Sequence, residues 1–128
     1  MRRTLAVGAA VTLALSGAAV IPAAPALAAS CVYTNLTTGV QAPGTTVKKA
    51  ASACHDLNLV AAWDRHSNGD YYAGYYRTSD GVWHRGSRGY LWFPNGGSLV
   101  VLVSNINTGT VMGVASFYDG PVAVQVMH

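Results

Sequence analysis

The chain contains no glutamate, and its acidic side chains are five aspartates in 128 residues. Charged residues of both signs make up only 10% of it. A chain without Glu, carrying 14 Gly and seven Tyr, lacks the helix-forming charged residues that cover a helical bundle. Lysine is nearly missing too, since Lys48 and Lys49 are the only two. No Gly-x-Ser-x-Gly segment is present, which removes the strand-to-helix nucleophile elbow. His-x-His and His-x-x-x-His are also absent, so no zinc-type pair of imidazoles shares one strand or helix face.

What is present begins with an export signal. Arg2 and Arg3 precede an uncharged run from Leu5 to Ile21, and Pro22 and Pro25 break that run before Ala26-Leu27-Ala28. A charged start, an apolar run and a small-residue site together predict a secretory signal peptide over 1–28, by the Sec or the twin-arginine route. The run is short and rich in Ala and Gly, which makes it a poor permanent membrane span. Without residues 1–28 the chain holds six basic against five acidic side chains, and its formal charge falls from +3 to +1. The concentrated basic field of a nucleic-acid binder is therefore missing. The expected product is extracellular, with no membrane association after cleavage.

Cys31 and Cys54 are the only cysteines. In an exported chain two thiols most simply form one disulfide, and closing the intervening loop is worth about 3 kcal/mol. Cys31 also follows small residues, which leaves a lipidated N-terminus as the alternative use of that thiol.

Residues 29–54 are dominated by Thr, Gly, Ala and Pro, and are expected to form an N-terminal arm or disulfide-closed loop. A short helix over Val47–Leu59 has only weak apolar spacing. The β-domain is expected over 55–128. Strands are predicted at Leu57–Trp63, Tyr71–Tyr76, Val82–His84, Tyr90–Phe93, Leu99–Val103, Val111–Tyr118 and Val122–Met127, separated by Asn-Gly, Asp-Gly and Pro-Asn-Gly turns. Leu99–Val103 is apolar throughout and reads as a central strand. In Val122–Met127 valines alternate with other residues, as in a half-buried outer strand. No gap accommodates a crossover helix. The fold class is all-β, an antiparallel sandwich or small barrel of about six short strands.

The titratable inventory offers little catalysis. Asp80 and Asp119 lie in Asp-Gly turns and Asp70 follows another turn, leaving Asp56 and Asp64 without an evident carboxylate partner. His55-Asp56 and Asp64-Arg65-His66 send neighbouring ligands to opposite strand faces, so no metal site is expected. No serine is marked as a nucleophile. The protein is expected to be neither an enzyme nor a cofactor carrier.

Binding chemistry is better represented. Tyr71 and Tyr75 share one strand face and Tyr72 and Tyr76 the other, with Trp83, Tyr90 and Trp92 following. One face must pack the core, so about half of this set should lie outside, with Tyr72, Tyr76 and Trp92 as candidate contacts for sugars or a protein interface. Arg85 and Arg88, near Arg77, could recognise an acidic partner. The adjacent Lys48 and Lys49, in a small-residue stretch, suit an acidic pocket such as that of a trypsin-like protease.

Several segments, namely the Arg2-Arg3 signal, Cys54-His55-Asp56-Leu57-Asn58-Leu59, the run Tyr71-Tyr72-Ala73-Gly74-Tyr75-Tyr76 and Gly86-Ser87-Arg88-Gly89-Tyr90, resemble small secreted proteins of Streptomyces-type bacteria. Within that group the chain is similar in size and layout to the adaptor subunit of umbrella toxin particles. The resemblance implies a role joining a toxin-bearing scaffold to a lectin subunit with a degenerate trypsin-like domain. It also implies that a segment around Lys48 and Lys49 enters the trypsin-like cleft. The expected function is thus a secreted, non-catalytic adaptor in an antibacterial toxin complex. The alternatives are a serine-protease inhibitor using the same arm, or a carbohydrate- or cell-wall-binding module using exposed Tyr and Trp.

Overall fold

Alternation and turn chemistry produce strands over about half of residues 30–128, the part described by this computed structural model; the expected signal peptide lies outside the described residues. The strands are β1 (Tyr33–Thr37), β2 (Gly39–Val40), β3 (Thr46–Lys48), β4 (Leu57–Trp63) and β5 (Gly69–Arg77), then β6 (Trp83–Arg85), β7 (Leu91–Pro94), β8 (Val100–Val103), β9 (Val111–Ser116) and β10 (Ala123–Met127). Among the described residues there is no helix, including over 47–59.

The ten strands form two sheets. One runs β1-β10-β4-β8; the other runs β2-β9-β5-β6, with β3 also on β9 and β7 also on β5. Pairing is antiparallel except for the short β2–β9 contact. Both sheets send side chains into one core. Leu36, Leu57, Leu59, Leu102, Val124 and Val126 come from the first sheet, and Tyr72, Phe93, Met112 and Val114 from the second. The sheets pack closely at Gly74, where an added Cβ would stand 2.5 Å from Val103 Cγ2 and 2.9 Å from Leu102 Cβ. The hairpin between β5 and β6 turns at Gly81, whose φ of 85° favours glycine. Thr78 and Val82 close it by a backbone hydrogen bond of 3.1 Å.

Residues 30–54 are not a separate arm. β1 pairs with β10 from Tyr33↔Met127 to Thr37↔Ala123, β3 pairs with β9, and Leu36 is in the core. The arm expected from the Thr, Gly, Ala and Pro content does not form, because an edge strand needs few apolar residues. Threonine is β-branched and suits the pleat, and one inward Leu suffices to fix its face. The disulfide Cys31–Cys54, with Cα atoms 5.3 Å apart, ties the entry to β1 to the approach to β4.

Two placements reverse. β10 lies between β1 and β4, although its alternation holds, with Val124 and Val126 inward and Ala123 exposed. β8, expected to be central, is an edge strand. Its apolar run is explained by Leu102 and Val103 in the core, while Leu99 just before it is exposed.

Candidate functional site

The outer face of the six-stranded sheet carries a connected series of rings. Tyr71 and Tyr75 project outward from β5, and Tyr71 is paired across the sheet with Trp92 of β7. The Tyr71 and Trp92 rings meet edge to face at 5.4 Å. Tyr71 meets Tyr118 at 6.3 Å, Tyr118 meets Phe117 at 4.8 Å, and Phe117 meets Tyr90 at 5.2 Å. Tyr118, Trp92 and Tyr71 remain 69%, 52% and 41% exposed. At the far end the Tyr75 and Tyr90 hydroxyls lie 3.2 Å apart and the Arg85 guanidinium sits 5.5 Å from the Tyr90 ring centre. Burial and the Tyr75 hydroxyl push the Tyr90 phenol up to about 12. Arg77 lies 5.2 Å from the Trp83 ring centre.

Of the expected contact residues, Trp92, Arg85 and Arg88 are exposed. Tyr72 is not: it is 0% exposed, its ring edge to face with Phe93. Tyr76 is half-buried and stacked on His84 at 5.5 Å. The parity of the Tyr run was legible in the sequence, but the outward pair is Tyr71 and Tyr75. Cross-strand pairing to Met112, Val114 and Ser116 of β9 makes the face of Tyr72 and Tyr76 the inner one.

The lysines also separate. Lys48 ends β3 exposed, but Lys49 is only 3% exposed. Its Nζ donates to Ala50 O at 2.7 Å, its N–H to Thr110 O at 2.8 Å, and its carbonyl accepts from Gly109 N–H at 2.8 Å. Strand alternation turns this side chain inward, so an accessible dilysine does not exist in the folded protein. His128 is buried nearby: its Nδ1 accepts from Ala50 N–H at 3.0 Å, and its Nε2 lies 3.0 Å from Thr34 Oγ1. Burial, and then the charge of Lys49, hold the imidazole below its usual range.

A second constellation was missed in the sequence. Asp64, Asp70 and Asp119 each bring one carboxylate oxygen within 4.8 Å of the others. Asp64 follows β4, the Ser67-Asn68-Gly69 turn reverses the chain into β5, and Asp70 is the second residue of that strand. Pairing of Tyr72 with Ser116 then places the turn after β9 beside Asp70. Asp70 accepts from the backbone N–H groups of Tyr71 at 2.6 Å, Tyr118 at 3.1 Å and Asp119 at 2.9 Å. The Ser67 hydroxyl lies 3.0 Å from Asp64 Oδ2, 3.3 Å from Asp119 Oδ2 and 2.6 Å from Gly69 O. Asn95 braces the loop, accepting from Asp64 N–H at 3.0 Å and donating to Asp64 O at 2.8 Å.

Burial pushes the Asp64 carboxyl up, but the His66 N–H, Asp119 and Ser67 more than offset it, leaving it below the usual range. Its hydrogen bond with Asp64, aided by burial, raises Asp119. Asp64 therefore does have carboxylate partners. Asp-x5-Asp around an Asn-Gly turn was the available signal, but Asp119 enters only through the β5–β9 pairing.

A groove of about 540 Å³ at the Arg77 end of β5 is lined by Tyr76, Arg77, Ser87, Asn105, Asn107 and Thr110 among others. None of its lining residues is a carboxylate or a histidine. Comparison with known proteins finds no family, no curated protein and no solved structure that matches this chain.

Proposed function

We propose that this protein is a secreted, non-catalytic adaptor that docks a protein partner through the aromatic–arginine face of its six-stranded sheet. The observation that carries the reading is the connected series Trp92–Tyr71–Tyr118–Phe117–Tyr90, flanked by Arg85. Trp, Tyr and Arg are the residues that dominate binding energy at protein interfaces. Edge-to-face contacts hold these rings before a partner arrives, which lowers the entropy lost on docking. The same contacts tilt successive rings against each other, an arrangement less suited to stacking flat sugar rings than to a shaped protein surface. The disulfide is consistent with an extracellular setting.

An adaptor within an umbrella-type toxin particle is the particular form of this proposal, supported by the segments that resemble that family. Its contact moves from the lysine pair to the aromatic face, because only Lys48 of that pair is on the surface. The inhibitor alternative loses its motivation for the same reason.

The test is capture of secreted partners on the tagged protein, followed by affinity measurement with the purified partner. Trp92→Ala with Tyr118→Ala is expected to weaken binding by about 30-fold or more, as loss of interface hot spots does. Lys48→Ala should leave affinity unchanged. Retention on insoluble wall polysaccharide, lost in the aromatic variant, would replace the adaptor with the sugar-binding module.

A further inference from the structure

The three-aspartate cluster has an electrostatic problem that the docking face does not explain. Asp64 and Asp70 are buried, Asp119 adjoins them, and among the described residues no lysine or arginine forms an ion pair with any of the three. The single ion-pair contact is between exposed His66 Nδ1 and Asp64 Oδ1 at 3.8 Å. Three carboxylates so close repel one another, and a bound cation would relieve that repulsion.

A second observation points into the same place. Tyr72 stands on the inner face of β5 beside Asp70, two residues away and therefore on the same side. Its ring packs on Phe93, which is the cross-strand partner of Asp70. Its hydroxyl is fully buried and has no hydrogen-bond partner. Burial and the negative charge of Asp64, Asp70 and Asp119 hold that phenol far above its usual range. A buried hydroxyl without a partner costs about 1–3 kcal/mol, so one beside three carboxylates calls for a further polar group there.

We propose that Asp64, Asp70 and Asp119 form a calcium site, with the buried Tyr72 hydroxyl as the polar group at its inner wall. The donor set is all oxygen, which suits a hard cation rather than zinc. Size decides between the hard cations. Calcium–oxygen bonds of about 2.3–2.6 Å let two ligand oxygens stand up to about 5 Å apart, whereas magnesium, at about 2.0–2.1 Å, spans only about 4 Å. The observed spread is 4.8 Å. Asp70, already oriented by backbone N–H groups, contributes one oxygen. Asp64 and Asp119 contribute one oxygen each. Tyr72 then has coordinated water within its pocket as a partner. An affinity of about 0.1–1 mM is expected, as for extracellular calcium modules.

The experiment uses chelator-treated purified protein and metal alone, so its outcome does not depend on the docking proposal. Terbium luminescence, displaced by calcium, reads occupancy; thermal unfolding in CaCl₂, MgCl₂ and NaCl of matched ionic strength reads linkage. Calcium at a hundredfold excess over its Kd should raise the midpoint on the order of 10 °C, with magnesium and sodium giving little. Asp119→Asn, which leaves the backbone anchors of Asp70 in place, should keep the fold and lose at least tenfold in calcium affinity. No saturable calcium effect up to about 10 mM in folded protein would overturn the site. So would an equal shift with sodium or magnesium, or an undiminished shift in Asp119→Asn.

Discussion

At the scale of single residues, burial separates neighbours of identical chemistry. Lys48 is solvated while Lys49 is enclosed beside His128, and Tyr71 is exposed while Tyr72 is in the core. His128 has a measurable consequence. Burial and Lys49 hold its folded pKa below the ordinary 6.5, so the unfolded chain binds the proton more readily. The stability it contributes is complete above about pH 6.5 and is lost as pH falls through the folded pKa. Denaturant unfolding should show an acid-side decline that is absent in His128→Gln. Replacing the buried ammonium in Lys49→Met should raise the His128 titration midpoint by NMR, and an unmoved midpoint would sink this account. Asp64, also depressed, adds a second loss of stability as pH falls through its folded pKa, below the ordinary 3.8. Asp119, raised, acts in the opposite direction: its contribution is present at low pH and fades as pH rises through its folded value.

At the scale of elements, the spacing of turns located β4 to β10 well, because Gly, Asn and Asp in turns act through local backbone conformation. Sheet position was not local information. β8 is at an edge and β10 is interior, since pairing partners, rather than a strand's own hydropathy, decide where it sits. β5 and β8 press together at Gly74, so Gly74→Ala is expected to cost about 1–3 kcal/mol by overpacking, measured as a lower denaturation midpoint. A variant as stable as the parent would show that Val103 can swing clear. The Cys31–Cys54 bond makes the corresponding claim for β1. Replacing both cysteines by serine should reduce stability by about 3 kcal/mol, with faster amide exchange in β1 than in β4. Uniform acceleration in both strands would mean that the bond supports the whole sandwich rather than its first edge.

For the whole molecule, the aromatic face and the aspartate cluster are joined by one short segment, 117–119. Phe117 and Tyr118 stand on the outer surface, while the backbone N–H groups of Tyr118 and Asp119 are held by Asp70 beneath it. Sequence alone determined the all-β class, most strand positions and the division of the Tyr run into two faces. Each of these follows from composition, from the two-residue period or from turn chemistry, which act within a few residues. Only the tertiary structure decided which Tyr face is buried, that residues 30–54 belong to the sheets, that Lys49 is enclosed, and that Asp119 joins Asp64 and Asp70. Those outcomes depend on which strands pair and on how the two sheets face each other. Pairing of β1 with β10 and of β5 with β9 joins parts of the chain that no local pattern connects, and burial follows from that arrangement.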